Sequence, residues 1–314
     1  MNETRKDYIL DSYVIIATER KKRPREFTED KEEPIENHVC YFCPGNENLT
    51  PPEITRIEKN GKWQIRVVDN KFPAVKLEGN PEFRTDNNYF TFAGAFGKHE
   101  VVIDTPEHNK KFSEFSVEEI TELLRVYIDR INVMGKIQGI KYVFVFKNYG
   151  KEGGASIAHS HSQIISYNLI PATIKKREDA VLKYDHCPYC DIINIEKDSH
   201  RKVMVNKSII AFTPYASRFP FEVWVFPKRH VININELNDE ELYDLASVLK
   251  YLTQKIATLN LSYNFYLLNG TKNMHFHIHF IPRTSSAKWA GFELGTDTII
   301  NPITPEEAAK FYRD

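Results

Sequence analysis

"HEVVIDTPEH" (residues 99–108) and "FEVWVFPKRH" (residues 221–230) each run from a glutamate through an apolar, strand-like stretch to a proline and then a histidine. Glu100 precedes His108 by the same distance as Glu222 precedes His230. A helix start follows each: Ser116 with Glu119, and Asn238 with Glu241, a capping residue with an acid at the third helical position. Ile120, Leu123, Leu124, Tyr127 and Ile131 then recur at helical spacing, as do Leu242, Leu245, Leu249, Leu252 and Ile256. Next come the strands "KYVFVFKN" and "YNFYLLN", ending at Asn148 and Asn269, and past them the histidine clusters "HSH" and "HFHIH". Such self-similarity makes the chain two copies of one unit. The predicted fold is α+β: two antiparallel sheets, each with a packed helix, in domains 1–172 and 173–314. The polar stretch "PATIKKREDAVLKYDH" marks the boundary, read as a connection without a clear apolar run.

The chain has 314 residues and is 41% apolar, enough for a sizeable core. Its 42 Lys and Arg balance 43 Asp and Glu, so nothing in the overall charge draws it to nucleic acid or to an anionic membrane. No stretch approaches the roughly 18 apolar residues of a membrane helix, and "MNETRKDYIL" lacks the apolar run of a secretory signal. The expected location is the cytoplasm, where thiols stay reduced and cysteines serve better as ligands than as disulfides.

All four cysteines fall in two pairs, Cys40 with Cys43 and Cys187 with Cys190, at the gap that lets two thiolates face one tetrahedral ion. Neither pair opens an evident helix after a strand, which argues against a thioredoxin-like redox site. Each pair needs two further ligands, and histidine is the natural supplement. The first copy offers His108 and one of His159 or His161. Alternate residues of a strand share a face, so these two rings can stand side by side with separate tasks. If His159 closes the first site, His161 is held on a fixed scaffold and left free to react.

"NYGKEGGAS" (148–156) suggests the reaction, because three glycines and a serine let backbone N–H groups cradle a phosphate. The second copy is shorter here: Asn269 reaches His275 in six residues, Asn148 reaches His159 in eleven. That asymmetry points to one active copy. A neutral imidazole so placed attacks phosphorus and forms a phosphoramidate. Gln163, two residues on and on the same face, can donate to phosphoryl oxygens as their charge grows.

These residues resemble the galactose-1-phosphate uridylyltransferase family of the histidine-triad superfamily. "CYFCPGNENLTPPE", "TPEH", "GGASIAHSHSQ" and "GFELGTDTIINPITPEEAA" carry the likeness, which spans nearly the whole chain. The resemblance implies that Cys40, Cys43, His108 and His159 bind zinc, that His161 is the nucleophile, and that Gln163 binds the transferred phosphoryl group. It assigns Asn148, Gly154, Ser156, Arg20 and Arg23 to the phosphates, Asn70 and Phe72 to the base, and Lys288, Phe292 and Glu293 to the sugar. The last segment can serve a neighbouring subunit, which implies a homodimer. A second zinc would take Cys187, Cys190 and His230, with the fourth ligand among His275, His277 and His279 and the alignment favouring His275. Two zinc ions per chain, a nucleoside-diphosphate sugar and a sugar 1-phosphate are therefore the expected cofactors and substrates. Ser160, where many members have proline, and the second cysteine pair resemble the branch of ADP-glucose phosphorylases, which use phosphate as acceptor. A histidine-triad hydrolase and a zinc scaffold that binds nucleotides without turnover are the competing readings.

Overall fold

A computed structural model describes residues 2–22, 39–284 and 290–314. Arg23 and Lys288 lie outside the described residues. In chain order the elements begin with strands β1 (Glu3–Lys6), β2 (Tyr13–Ile16), β3 (Glu53–Lys59), β4 (Lys62–Asp69), β5 (Arg84–Asp86), β6 (Phe90–Phe92) and β7 (Gly97–Ile103). Helix α1 (Val117–Gly135) leads to β8 (Tyr142–Tyr149) and β9 (His161–Tyr167), and the first copy ends there. The chain continues through α2 (Ala172–Val181), α3 (Pro188–Glu196), β10 (Lys202–Val205), β11 (Ile209–Phe212), β12 (Val223–Pro227), α4 (Asp239–Ala257), β13 (Ser262–Leu268) and β14 (His277–Arg283). It closes with α5 (Gly291–Thr296), β15 (Ile299–Asn301) and α6 (Pro305–Arg313).

The repeat is visible in the strand order, β3-β4-β7-β9-β8 in one half and β10-β11-β12-β14-β13 in the other. The expected antiparallel strands and helix of each copy are present. The two expected sheets, however, are joined into one of ten strands, because β8 pairs with β13 through Tyr149↔Tyr263, Asn148↔Asn264, Lys147↔Phe265 and Phe146↔Tyr266. Each of these strands would otherwise carry a bare row of N–H and C=O groups, and pairing them removes both edges. Both long helices lie on one face of this sheet. Ser116 and Asn238 accept from the N–H of Glu119 and Glu241, as the capping pattern predicts. The stripes Leu123, Leu124, Tyr127 and Leu245, Leu249, Leu252 are buried in one continuous core.

Two local expectations are corrected. The stretch read as a connection forms α2, with Ile174 and Val181 buried, and Cys187 is the N-cap of α3, whose first residue is Pro188. The equal Glu-to-His spacing also misaligns the copies by one residue. Val101 pairs with Gln163 as Trp224 pairs with His279, so the residue matching Glu100 is Val223, and Glu222 matches His99. The connection from strand to histidine is one residue shorter in the second copy, and a one-residue step exchanges the faces of a strand. Glu100 accordingly faces the helices, bound by Arg130 at 2.8 and 2.9 Å. Among the described residues no helix is long and apolar enough to cross a membrane.

Three buried histidines on and just before β14 give the fold a pH signature. Burial lowers His275 to about 3 and holds His277 and His279 well below the ordinary value. As pH falls through about 6.5 the unfolded chain takes up protons that the folded rings refuse, so stability is lost on the acid side. His279→Phe should reduce the fall in urea unfolding free energy between pH 6.5 and 5 by about 1 kcal/mol per pH unit, steepening toward the acid end. An unchanged slope refutes this account.

Candidate active site

Strand β9 puts His161, Gln163, Ile165 and Tyr167 on the open face and Ser160 and Ser162 toward the helices, by simple alternation. The ligand atoms of Cys40, Cys43, His108 and His159 all lie within 4.8 Å of one another. His159 Nε2 stands 2.7 Å from the Thr105 carbonyl, so it carries the proton and leaves the Nδ1 lone pair facing Cys40 Sγ at 3.5 Å and Cys43 Sγ at 3.7 Å. His108 Nδ1 reaches Cys43 Sγ at 3.3 Å. Burial, with the neighbouring Cys40 thiol, pushes Cys43 up to about 11; a divalent cation among these atoms reverses that preference by stabilising thiolate. The donor set therefore fits a metal ion.

The second group is Cys187, Cys190 and His230, also within 4.8 Å of one another, and burial pushes Cys190 up to about 12. His275, expected as the fourth member, stands beside this group rather than in it. Its ring centre is 4.9 Å from that of His230, its Nδ1 faces the Phe276 carbonyl at 3.0 Å, and its buried Nε2 has no partner among the described residues.

The loop of the first pair brings Phe42 edge-on to the His161 ring at 5.4 Å. His161 Nδ1 lies 2.9 Å from the His159 carbonyl and must donate to it, which makes Nε2 the unprotonated nitrogen. Burial lowers the His161 imidazole below its ordinary value, so this neutral form prevails at pH 7. His277 is its counterpart in the second copy, with Nδ1 2.8 Å from the His275 carbonyl. There, Nε2 is buried without a partner among the described residues, and Phe226 stacks on the ring at 4.6 Å. The second imidazole is thus aimed like the first and walled off.

Beside His161, the glycine loop turns at Gly150 (φ 74°) and Gly154 (φ 79°), conformations that L side chains rarely adopt. Asn264 Nδ2 donates to Asn148 Oδ1 at 2.8 Å and to the Gly153 carbonyl at 2.7 Å, tying loop and strand together across the seam. Among the described residues Asn148 keeps its amide protons to spend, next to Gly154. Ser156 is exposed on the same loop. Asn70 and Gln163 meet at His99, 3.1 and 2.9 Å from its Nε2, and Phe72 stands exposed beyond Asn70.

Arg20, Phe292 and Glu293 have their described neighbours in other elements. Arg20 sits in a short turn whose neighbour Lys21 pairs with Glu307 of α6, and Phe292 and Glu293 lie on α5, which Arg218 anchors through Asp297. None of the three has a described contact with His161.

Residues 1–171 match the family described as Galactose-1-phosphate uridyl transferase, N-terminal domain, and residues 97–311 match a domain of unknown function, DUF4921. The chain belongs to the galactose-1-phosphate uridylyltransferase family. An ADP-glucose phosphorylase of Arabidopsis thaliana is 33% identical over 99% of this chain and 92% of its own. A galactose-1-phosphate uridylyltransferase of Thermotoga maritima is 30% identical over 100% of this chain and 98% of its own. The crystal structure of an Arabidopsis thaliana ADP-glucose phosphorylase with bound ADP-glucose superposes with a TM-score of 0.86 at 30% identity, covering 100% of this chain and 99% of that one. Membership in this family makes the chain a nucleotidyltransferase.

One feature of this family member escaped the sequence reading. Beneath the histidine strand, Lys147 Nζ donates to Asp104 Oδ2 at 2.5 Å, Ser160 Oγ at 2.9 Å and the His161 carbonyl at 3.0 Å. Ser160 and Ser162 donate to the two oxygens of the same carboxylate, and Tyr127 donates to Ser162 at 2.6 Å. Ser160 is thereby explained: a proline there offers no hydroxyl to this buried pair. The sequence held one signal, a lysine and an aspartate set in apolar strands. Lys147→Met leaves the Asp104 carboxylate buried without its cation and should cost about 3–5 kcal/mol in chemical unfolding, whereas Ser160→Ala should cost about 1 kcal/mol. Equal and small effects from both would contradict this network.

Proposed function

We propose that the chain exchanges a nucleoside monophosphate between a nucleoside-diphosphate hexose and a hexose 1-phosphate through a covalent nucleotidyl-His161. The observation that carries the reading is the Nδ1 contact of His161 with the His159 carbonyl at 2.9 Å, which turns the Nε2 lone pair to the open face beside a glycine-rich loop. His161 Nε2 attacks the phosphorus that bears the nucleoside. An N–P bond forms as the P–O bond to hexose 1-phosphate breaks, and the electron pair leaves on that phosphate oxygen. In the second half-reaction an acceptor phosphate oxygen attacks the same phosphorus and the pair returns to Nε2. Gln163 and Asn148 donate to the phosphoryl oxygens, Gly154 and Ser156 approach them along the loop, and Asn70 and Phe72 face the base.

Cys40, Cys43, His108 and His159 fit one zinc ion, and Cys187, Cys190 and His230 a second, with His275 as fourth ligand. His275, His277 and His279 all spend Nδ1 on a neighbour, and His275 is chosen because its ring adjoins that of His230. Four protein ligands leave no open position, so zinc supplies rigidity to the nucleophile's strand rather than activated water. Four free thiols fit a reducing compartment, and the reading places the enzyme in the cytoplasm.

A second copy of the chain completes the site in this reading, which the resemblance implies and which fits Phe292 and Glu293 having no described contact with His161 of their own chain. Co-expressed His161→Asn and Phe292→Ala chains should then recover activity that neither has alone. Mixed dimers without recovery would count against a shared site.

The rival reading, phosphate as acceptor and ADP-glucose as donor, is favoured by Ser160 and by the likeness to the Arabidopsis phosphorylase. Assays with UDP-glucose plus galactose 1-phosphate, and with ADP-glucose plus phosphate, separate the two. Mass spectrometry of the chain mixed with either sugar nucleotide alone should show a gain of uridylyl or adenylyl mass, lost in His161→Gly. Turnover unchanged in that variant, or no adduct with either donor, refutes the covalent mechanism.

A further inference from the structure

His99 lies on β7 beside Gln163, 8% exposed, and the transfer chemistry gives it no task. The backbone N–H of Ala74 donates to its Nδ1 at 3.3 Å, so the neutral ring carries its proton on Nε2. Burial lowers the His99 imidazole and keeps it neutral at pH 7. Nε2 faces Gln163 Oε1 at 2.9 Å and Asn70 Nδ2 at 3.1 Å, and of these two only the carboxamide oxygen can accept. Asn70 is fixed separately, its Oδ1 accepting from the N–H of Phe72 at 2.9 Å. The two ends of a glutamine amide are nearly equal in size and opposite in polarity, so this one contact decides which end meets a ligand.

We infer that His99 is a positioning residue: its Nε2–H holds Gln163 by the carboxamide oxygen, so that the amide N–H groups are the ones presented to the transferred phosphoryl group. The reversed amide would set a carbonyl oxygen against phosphoryl oxygens. The second copy gives an internal contrast. At the matching positions it has Glu222 and His279, 3.9 Å apart, with Trp224 stacked on His279 at 4.7 Å. A carboxylate and a covered imidazole there offer no amide donor to a phosphate, in keeping with a single active copy.

The inference rests on the proposed transfer at His161, and two measurements separate their fates. Selective 15N-histidine NMR of the full substrate-free chain at pH 7.5, with the His99 signal assigned by its loss in His99→Gln, should show a bare Nδ1 and a protonated Nε2. The opposite tautomer overturns the inference whatever the activity. In transfer assays with UDP-glucose or ADP-glucose as donor, Gln163→Ala should lower kcat about 100-fold. His99→Asn, which can reach Ala74 but not Gln163, should lower it between about 10- and 100-fold with little change in KM. His99→Gln, whose amide reaches to the Nε2 position, should recover much of that loss, and the His99→Asn/Gln163→Ala double variant should be no slower than Gln163→Ala. A wild-type chain that forms no nucleotidyl adduct overturns the transfer reading itself. A chain that forms it while His99→Asn transfers at the wild-type rate, or while the double variant loses multiplicatively, overturns only the role of His99.

Discussion

Strands β8 and β13 meet edge to edge, and the ladder between them is the constraint on which the rest of the molecule depends. It fuses two repeated five-strand units into one sheet of ten. It also places α1 and α4 side by side over that sheet, where Leu124 and Leu249 share one core. The same register sets Asn264 of the second copy opposite Asn148 of the first, so that a side chain of the second copy closes the loop of the first. Neither half alone could present this site, because the polar groups of the Gly153 turn would lose their anchor.

Duplication and divergence are legible atom by atom. In both copies the second histidine of the cluster donates Nδ1–H to the carbonyl of the first, at 2.9 Å for His161 and 2.8 Å for His277. The shared backbone thus aims two imidazoles alike. What differs is the surroundings: a left-handed glycine turn beside His161, and aromatic rings over His277 and His279. The second ring is covered without any change in its orientation.

The strand that bears His161 is fixed from both faces. On the open side, Cys40, Cys43, His108 and His159 form a donor set that fits a metal ion, and Phe42 of that loop leans on the His161 ring. On the helix side, Lys147 holds Asp104, Ser160 and the His161 carbonyl in a buried network whose charges are neutralised only together. In the proposed transfer at His161, a nucleophile that must meet phosphorus along a line profits from such rigidity, since a displaced ring costs rate even with its chemistry intact.

Local chemistry and periodicity can be read from residue order alone. The apolar stripes of Leu123 and Leu245, the caps at Ser116 and Asn238, the strands and the cysteine pairs are recorded in spacing, and spacing survives without a structure. The placing of His159 and His161 side by side, both rings against Phe42, is also as strand alternation expects. Three-dimensional packing made the two sheets one, because an edge seeks a partner and residue order does not name it. It alone decided that Glu222 stands where His99 does, since strand register is set by pairing and by a connection one residue shorter, whereas equal spacing between Glu and His suggested otherwise. The partners of Asp104, Lys147, His99 and Asn264 were hidden for the same reason. A buried polar side chain is satisfied by groups far along the chain, and only folding brings them within hydrogen-bond reach.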